Sequence, residues 1–318
     1  MFETPILLII FKRKETTLKV LEIIKKINPK YLYIAADGWR DENEKIKCLE
    51  TREAVLESIK SYNTIQYNTI HVKTLFKDKN GGCCFGVANA ISWFFENVEQ
   101  GIILEDDVLP EISFFYFCEK LLNYYKDNER IMHIAGDSPL DRKVSDASYY
   151  FATVQHCWGW ASWRRAWKYY DATMKTVSFK DTKKTLKKRY KDFNIRDYWQ
   201  NWFYRTADIN TWDYQWTYVI ISKDGLCINP SLNLTSNIGF GEDSTHTSNP
   251  NDENANRKTY PIDFENIIHP SKIECDSQAD FEIAVKRFGL IPFSLKHNVS
   301  REIKRIIRQI RNLFRKFT

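Results

Sequence analysis

A short apolar segment that ends in three consecutive carboxylates constrains the fold of this chain most. Residues 102–104 are apolar, and Glu105, Asp106 and Asp107 follow them directly. An apolar run of this kind predicts a buried strand. Three adjacent carboxylates repel one another unless a cation lies among them, and Mg²⁺ or Mn²⁺ is bound by such oxygens together with substrate phosphates. The segment therefore predicts a metal and nucleotide diphosphate site at the end of a strand, with a solvated acidic turn as the alternative.

The composition is typical of a globular protein from a reducing compartment. Of the 318 residues, 43% are hydrophobic and 15% aromatic, which is ample core material for one large or two small α/β domains. The seven cysteines form an odd set without a C-x-x-C pair, which argues against a disulfide framework or a structural zinc site. No signal peptide is evident, and no apolar stretch reaches the roughly 18 residues of a membrane span. We therefore expect a cytoplasmic protein.

The formal charge of +6 is concentrated in the last 18 residues. The segment 301–318 contains seven basic residues and one acidic residue, and the rest of the chain contains 40 of each. A neutral body argues against nucleic-acid binding. Within 301–318, apolar residues recur at three- and four-residue steps, which predicts a basic amphipathic helix. We expect this helix to bind the anionic inner face of the cell membrane peripherally, and a core or dimer helix is the alternative.

Strand-like and helix-like segments alternate in the first half of the chain. Strands are predicted at 5–11, 31–36 and 70–76, and a fourth strand is predicted to end at residue 104. Helices are predicted at 16–27, 86–98 and 112–125. This βαβ alternation predicts an α/β fold with a mostly parallel sheet flanked by helices. Ligands of such sheets bind beyond the carboxyl ends of the strands. Four groups that follow strands are therefore expected to converge, namely Arg13, Asp37, Asn80 and residues 105–107.

The second half is rich in tryptophan and in polar loops. Two tryptophan groups, at positions 158, 160, 163 and 167 and at positions 199, 202, 212 and 216, predict either a binding wall or a bulky core. The basic stretch 175–191 between them is predicted to be a surface helix or a mobile loop. Residues 237–257 are rich in Gly, Asn, Ser and Thr, which predicts a long loop that orders over a bound ligand.

Four sequence blocks resemble the GT-A nucleotide-diphospho-sugar glycosyltransferases. The blocks resemble those of the bacterial haemolysin-like glycosyltransferase proteins, and the chain is more distantly similar to the N-acetylglucosaminyltransferase I family. The blocks are Ile10-Phe11-Lys12-Arg13, residues 102–110 with Phe114-Phe115, residues 158–164, and residues 211–216 leading to Asn229-Pro230-Ser231. Together they cover about residues 4–248. The sequence departs from the eukaryotic family at Asp213-Tyr214-Gln215, where that family has two adjacent aspartates.

The resemblance implies a GT-A fold and transfer from a UDP-sugar that depends on Mn²⁺ or Mg²⁺. It implies a nucleotide-sugar half at 1–145, an acceptor-side half at 146–270 and an extension at 271–318 that carries the amphipathic helix. The expected donor sugar is GlcNAc-like, and the expected acceptor is a saccharide or a lipid-linked molecule of bacterial surface-glycan assembly, such as lipopolysaccharide or capsule. A sugar-nucleotide nucleotidyltransferase and a non-catalytic, membrane-associated sugar-binding protein are the alternatives. The nucleotidyltransferase requires a Gly-rich basic loop after the first strand, and residues 11–17 lack one.

The resemblance also implies roles for residues on the donor side. Asp107 is the expected metal ligand, Asp106 is expected at the ribose or donor sugar, and Glu105 at sugar hydroxyls. Arg13 is expected to pair with the diphosphate or the base. Asp37 is expected at the base edge, where an ordinary turn is the alternative. Asn80 is a further nucleotide-binding candidate.

A second set of residues is expected on the acceptor side. An inverting transferase activates the acceptor hydroxyl with a carboxylate on the sugar face opposite the diphosphate. Asp213 is the candidate base, with Trp212 and Trp216 as rings that stack on a sugar, and a helix-capping aspartate is the alternative. Trp158 or Trp160 is expected to border the donor or acceptor pocket. His246 is expected at the diphosphate or in the metal shell, with a solvated loop histidine as the alternative.

Overall fold

The computed structural model describes residues 1–66, 69–140, 142–175, 177–206, 209–241, 249 and 251–290. Its strands are β1 (Ile6–Ile10), β2 (Tyr31–Ala36), β3 (His71–Phe76), β4 (Gln100–Glu105), β5 (Val108–Pro110), β6 (Ile131–Ala135), β7 (Tyr149–Ala152), β8 (Trp160–Trp163), β9 (Leu226–Pro230) and β10 (Thr235–Asn237). Eight of them form one sheet in the order β3-β2-β1-β4-β8-β6-β9-β7. The other two, β5 and β10, pair antiparallel beside it.

The large sheet is parallel in its first half and mixed in its second. Strands β1, β2, β3 and β4 pair in parallel, and β6 pairs in parallel with β9. Strand β8 is antiparallel to both β4 and β6, and β7 is antiparallel to β9. Because β8 is antiparallel to both of its neighbours, β6 runs in the same direction as β4. The predicted fold class, a mainly parallel α/β sheet flanked by helices, is confirmed.

Nine described helices surround the sheets. They are α1 (Lys14–Lys26), α2 (Glu42–Gln66), α3 (Gly82–Asn97), α4 (Ile112–Tyr124), α5 (Arg164–Trp167), α6 (Phe179–Arg189), α7 (Phe193–Arg205), α8 (Asp213–Ser222) and α9 (Ser277–Phe288). The predicted helices at 16–27, 86–98 and 112–125 are confirmed as α1, α3 and α4. The basic stretch 175–191 contains α6. Helix α2 has no counterpart among the predicted elements.

Apolar side chains cover both faces of the sheet. Buried residues of α1, α2 and α4, among them Val20, Val55 and Phe114, pack on one face. Residues of α3, α8 and α9, among them Ile91 and Ile283, pack on the other. Four tryptophans, Trp160, Trp167, Trp212 and Trp216, belong to this second core. Most of the tryptophan density therefore serves packing, where each large ring contributes roughly 1.5–3 kcal/mol by leaving water.

The sheet takes strands from both sides of residue 145, so the two predicted halves share one structural unit. The amphipathic helix predicted at 301–318 lies outside the described residues, and the described part of the predicted extension contributes α9. None of the described helices is both long and apolar enough to cross a membrane. All seven cysteines lie in the described part of the chain and are free thiols, as the sequence predicts.

Candidate functional site

Two cavities adjoin at the carboxyl ends of the central strands. The first, of about 470 Å³, lies beyond β1, β2 and β3 and is called here the β1–β3 cavity; Lys12, Asp37, Lys77, Asn80 and Asp106 are among its lining residues. The second, of about 570 Å³, is called the aromatic cavity; Asp107, Trp158, Trp202, Asp213 and Tyr214 are among its lining residues. Arg13, Cys83 and Glu105 line both cavities. A ligand with two ends can therefore extend from one cavity into the other past these three residues.

Arg13 is the cation that lies among the adjacent carboxylates. It follows β1, and its guanidinium donates to Asp106 Oδ1 and lies 2.9 Å from Asp107 Oδ2. Asp106 also accepts the backbone N–H of Phe11 at 3.1 Å. Burial opposes the charge of Arg13, but Asp106 and Asp107 outweigh it and raise the pKa of the guanidinium. The mutual repulsion that led us to expect a metal is thus relieved, for these two carboxylates, by an arginine just beyond the neighbouring strand β1.

Glu105 and Asp106 lie in surroundings that disfavour their charged forms. Burial is the main cause that raises the pKa of Glu105, and the carboxylates of Asp107 and Asp106 raise it further. Burial also raises the pKa of Asp106, and Arg13 partly offsets this effect. Glu105 therefore takes up a proton more readily than an ordinary carboxylate. A protonated carboxyl group can donate a hydrogen bond to a ligand as well as accept one.

The acidic turn fits a divalent cation only when a bound substrate supplies part of the ligand shell of the metal. Among the described residues, no group of three His, Cys, Asp or Glu side chains is arranged to hold a metal ion. Mg²⁺ is, however, often held by one or two carboxylates with substrate phosphates completing its shell. Asp107 offers oxygen ligands at the aromatic cavity, beside the residues that line both cavities. The residues present therefore fit a cation that is shared with a bound diphosphate.

Gly239 closes over this turn and was not identified from the sequence. The N–H of Ile238 donates to the Asp107 carbonyl at 2.8 Å, and the N–H of Gly239 donates to Asn237 Oδ1 at 2.9 Å. A Cβ atom on Gly239 would lie 2.1 Å from Asp107 Oδ2 and 2.5 Å from Arg13 Nη1. Because no real Cβ approaches so closely, the backbone can reach the turn only at a glycine. The Gly-Phe-Gly sequence at 239–241 is the feature from which this close approach could have been predicted.

Asp37 and Asn80 line the β1–β3 cavity, and both are bonded within the loop that starts α3. The carboxylate of Asp37 accepts the N–H of Gly81 at 2.8 Å. The amide of Asn80 donates to the Gly38 carbonyl at 2.7 Å, and its oxygen accepts the N–H of Gly82 at 3.0 Å. The side chains that were expected to contact a nucleotide thus also build the loop. Cationic lining residues that the sequence reasoning missed are Lys12, Arg40 and Lys77.

Asp213 is held at the start of α8, on the wall of the aromatic cavity. Its Oδ1 accepts the hydroxyl of Thr211. Its backbone carbonyl accepts the hydroxyl of Thr217 at 3.1 Å and the amide of Gln155 at 3.4 Å. Glu105 and Asp107 line the same cavity. The candidate base and two residues of the acidic turn are therefore brought together from positions about a hundred residues apart.

The rings at the aromatic cavity are only partly those expected. Trp216 is fully buried, so the expectation that it stacks on a sugar is wrong; its Nε1 donates to the Nδ1 of His133 at 3.2 Å. Trp212 is 3% exposed and stacks on Trp160, but it also lines the aromatic cavity. The partly exposed rings of Trp202 and Tyr214, stacked 4.8 Å apart, form part of the same wall, and Trp158 lines the cavity too. His246 lies outside the described residues.

The comparisons with known proteins give weak likenesses only. No protein-family model and no curated protein sequence matches the chain. The structure is similar to HddC from Yersinia pseudotuberculosis, with a TM-score of 0.30 and 8% identity over 54% of this chain and 81% of that one. It is similar to the apo form of mouse xyloside xylosyltransferase 1, with a TM-score of 0.31 and 10% identity over 69% and 81% of the two chains. It is also similar to a UDP-glucose pyrophosphorylase in complex with UDP-glucose, with a TM-score of 0.26 and 12% identity over 48% and 63%. At such TM-scores these likenesses assign no activity.

Proposed function

We propose that this chain is a glycosyltransferase that moves a GlcNAc-like sugar from a UDP-sugar to a saccharide or lipid-linked acceptor of bacterial surface-glycan assembly, with inversion at the anomeric carbon. The observation that carries the proposal is the junction of the two cavities at Arg13, Cys83 and Glu105. A nucleotide sugar has a nucleoside at one end and a sugar at the other, with the reacting bond between the sugar and the diphosphate. A donor bound across the junction would have that bond between Arg13 on one side and the cavity of Asp213 on the other.

The donor side supplies positive charge where the leaving group becomes negative. The nucleoside occupies the β1–β3 cavity, beyond the carboxyl ends of parallel strands, where ligands of such sheets bind. Arg13, together with Lys12 and Arg40 at the same cavity, stabilises the charge that grows on the departing diphosphate. Asp107 would hold Mn²⁺ or Mg²⁺ with oxygens of the diphosphate, and a bound cation supplies Lewis-acid stabilisation of the same charge.

The acceptor side supplies the base. As the acceptor oxygen bonds to the anomeric carbon, the bond from that carbon to the diphosphate breaks, and the hydroxyl proton passes to the carboxylate of Asp213. The hydroxyl of Thr211 holds this carboxylate in one orientation, and the buried start of α8 holds its backbone. The stacked rings of Trp202 and Tyr214 offer an apolar wall to the acceptor.

The connection after β1 favours a glycosyltransferase over a sugar-nucleotide nucleotidyltransferase. Strand β1 ends at Ile10 and α1 begins at Lys14, so only residues 11–13 connect them. Three residues leave no room for the Gly-rich basic loop that the nucleotidyltransferase requires there. A non-catalytic sugar-binding protein would keep both cavities but would not break the donor.

The proposal is tested by nucleotide binding and by hydrolysis of the donor without acceptor. Thermal shift with UDP-, GDP-, dTDP- and CMP-sugars, with and without Mn²⁺, identifies the donor, because a ligand of the folded state raises its melting temperature. Proton NMR then follows hydrolysis, and an inverting enzyme releases the β-anomer first from an α-linked donor. No shift with any nucleotide sugar would refute the proposal, and binding without hydrolysis would favour the sugar-binding protein.

A matched pair of variants separates the base from its surroundings. Asp213→Asn keeps nucleotide binding and loses turnover. Asp171→Asn is the control, because Asp171 also accepts a hydroxyl two residues away, from Thr173 at 2.8 Å, but does not line either cavity. Asp107→Ala loses Mn²⁺-dependent nucleotide binding. Equal loss of nucleotide affinity in Asp107→Ala and Asp213→Asn would contradict the separate roles.

A further inference from the structure

Three buried polar side chains at the aromatic cavity have an unpartnered atom each. Asp137, Gln155 and His156 line this cavity and are 2%, 6% and 9% exposed. Within the part of the chain that the structure describes, Asp137 Oδ1, Gln155 Oε1 and His156 Nε2 have no hydrogen-bond partner. A buried polar atom left unpaired costs about 1–3 kcal/mol, so such atoms call for an explanation. Three of them on one cavity wall, none used by the transfer step, indicate a binding site.

The surroundings of these atoms define what they can bind. Arg287, from α9, lies with Nη2 3.3 Å from Asp137 Oδ2, and its guanidinium lies over the ring of Trp158. His156 Nδ1 approaches Asp137 Oδ2 at 3.9 Å, but burial, with Arg287 and Arg257 nearby, lowers the pKa of His156 to about 3. The imidazole is therefore neutral. The wall thus presents carboxylate and amide oxygens that accept hydrogen bonds and a neutral ring nitrogen.

A neutral saccharide fits this wall better than an anionic or an apolar ligand. Each sugar hydroxyl both donates and accepts, so it can pair with oxygens and with a ring nitrogen. Arg13 and Arg287 line the same cavity, but Arg13 is paired with Asp106 and Asp107 and Arg287 with Asp137. An anion would therefore also meet the carboxylates of Asp137, Asp213 and Asp107. An apolar ligand would leave the buried polar atoms unpaired. The terminal torsions of Asp and Gln side chains are soft, so a small rotation turns their oxygens to a ligand.

We propose that Asp137, Gln155 and His156 bind the acceptor, a neutral saccharide, next to the base. This inference rests on the proposed function only in naming the saccharide as the acceptor. Gln155 connects the acceptor site with the base. Its Nε2 donates to the backbone carbonyl of Asp213, while its Oε1 has no partner among the described residues. A sugar hydroxyl held by Gln155 is therefore next to the residue proposed to remove a proton.

The site is tested by binding of simple glycosides in the absence of nucleotide. Saturation-transfer NMR is run with the methyl glycosides of glucose, galactose, mannose, N-acetylglucosamine and N-acetylgalactosamine, and with methyl glucuronide. We expect at least one neutral glycoside to bind the wild type, and its affinity to fall tenfold or more in Gln155→Met and in Asp137→Asn. Gln155→Met preserves the shape of the side chain and removes an unpaired oxygen, so it keeps the test open if Asp137→Asn does not fold.

Gln200→Met is the matched control. Gln200 also has an unpartnered Oε1 and one bonded Nε2, to Thr182, but it does not line the aromatic cavity. We expect this variant to bind glycosides as the wild type does. Three outcomes would overturn the proposal: no neutral glycoside binds the wild type, Gln155→Met and Gln200→Met lose affinity equally, or the glucuronide binds more tightly than its neutral counterparts.

Thermal shift with UDP on the same proteins separates this inference from the proposed function. A UDP response without glycoside binding would overturn the saccharide site and leave the nucleotide side standing. Glycoside binding that Gln155→Met abolishes, without any nucleotide response, would support the site and refute the glycosyltransferase.

Discussion

Replacing Arg13 by methionine tests whether its guanidinium holds the acidic turn together. The guanidinium contacts Asp106 and Asp107, whose side chains are 4% and 11% exposed, and Arg13 itself is 23% exposed. Removing one partner of a buried ion pair leaves an uncompensated buried charge, which costs about 3–5 kcal/mol. Because Arg13 is partly exposed, we expect the lower end, a loss of about 3 kcal/mol in the free energy of unfolding.

This loss is large enough to measure by scanning calorimetry. An entropy of unfolding of about 2.1 cal/mol/K per residue amounts to roughly 0.67 kcal/mol/K for a chain of 318 residues, so 3 kcal/mol lowers the melting temperature by about 4–5 °C. Lys12→Met is the matched control. Lys12 Nζ lies 3.1 Å from Glu44, but Glu44 keeps Arg40 as a second partner, so this variant loses no more than about 1 kcal/mol.

The same variant shows whether Arg13 and a divalent cation compete for the carboxylates. Without nucleotide, we expect Mn²⁺ to raise the melting temperature of Arg13→Met, where Asp106 and Asp107 lack a counter-ion, and not that of the wild type. Mn²⁺ should leave Lys12→Met unchanged. A melting temperature of Arg13→Met equal to that of Lys12→Met, or an equal Mn²⁺ shift in the wild type and in Arg13→Met, would refute the reasoning.

Three further predictions concern the base, the covering glycine and a core histidine. Asp213→Asn keeps its affinity for UDP but lowers the steady-state turnover of the donor by about 10²–10⁴-fold, the usual contribution of a general base, and an unchanged rate would contradict its role. Gly239→Ala forces a methyl group against Asp107, so we expect weaker UDP binding in thermal shift and a loss of about 1–3 kcal/mol in urea unfolding; wild-type UDP affinity would show that the turn is not part of the nucleotide site. His133→Gln makes the fold less sensitive to acid, because burial lowers the pKa of His133 from 6.5 to about 3 and its Nδ1 already accepts the N–H of Trp216. As pH falls below 6.5 the unfolded chain takes up a proton that the folded chain does not, so the wild type loses about 2 kcal/mol between pH 7.5 and pH 5 that the variant keeps. Urea unfolding at the two pH values measures the difference, and identical losses would contradict it.

The parts of the fold that could be predicted are those with a clear hydrophobic period. The strands β1, β2 and β3 are continuous apolar or alternating runs, and α1, α3 and α4 bury one face each. Helix α2 escaped prediction because several of its apolar residues face solvent, which blurs the period of 3.6 residues. Ile46, Leu49, Leu56 and Ile65 are all exposed. A sequence pattern cannot tell which of two apolar faces a tertiary fold will cover.

The rule that ligands bind at strand ends located much of the candidate site. It brought Arg13, Asp37 and Glu105 to one edge of the sheet. It would also have identified Asp137, two residues beyond β6, but His133 interrupts the apolar run of that strand, so β6 was not recognised. No local sequence pattern could identify the partner of Arg13, because Asp106 lies 93 residues away in the sequence. Whether a metal or a guanidinium compensates the acidic turn is decided by tertiary structure.

Trp212 and Trp216 contribute to the candidate site chiefly by holding the start of α8 in position. Asp213 lies between Trp212 and Trp216 in sequence, and both rings are buried in the core, where Trp212 stacks on Trp160 and Trp216 bonds to His133. Such packing fixes the first turn of α8 and with it the direction of the carboxylate. A base must stay within hydrogen-bonding distance of its proton, and an error of about 1 Å can lower a rate a hundredfold. Buried rings hold such a group more accurately than rings that also have to adjust to a ligand, so the partly exposed rings of Trp202 and Tyr214 are better suited to contact one.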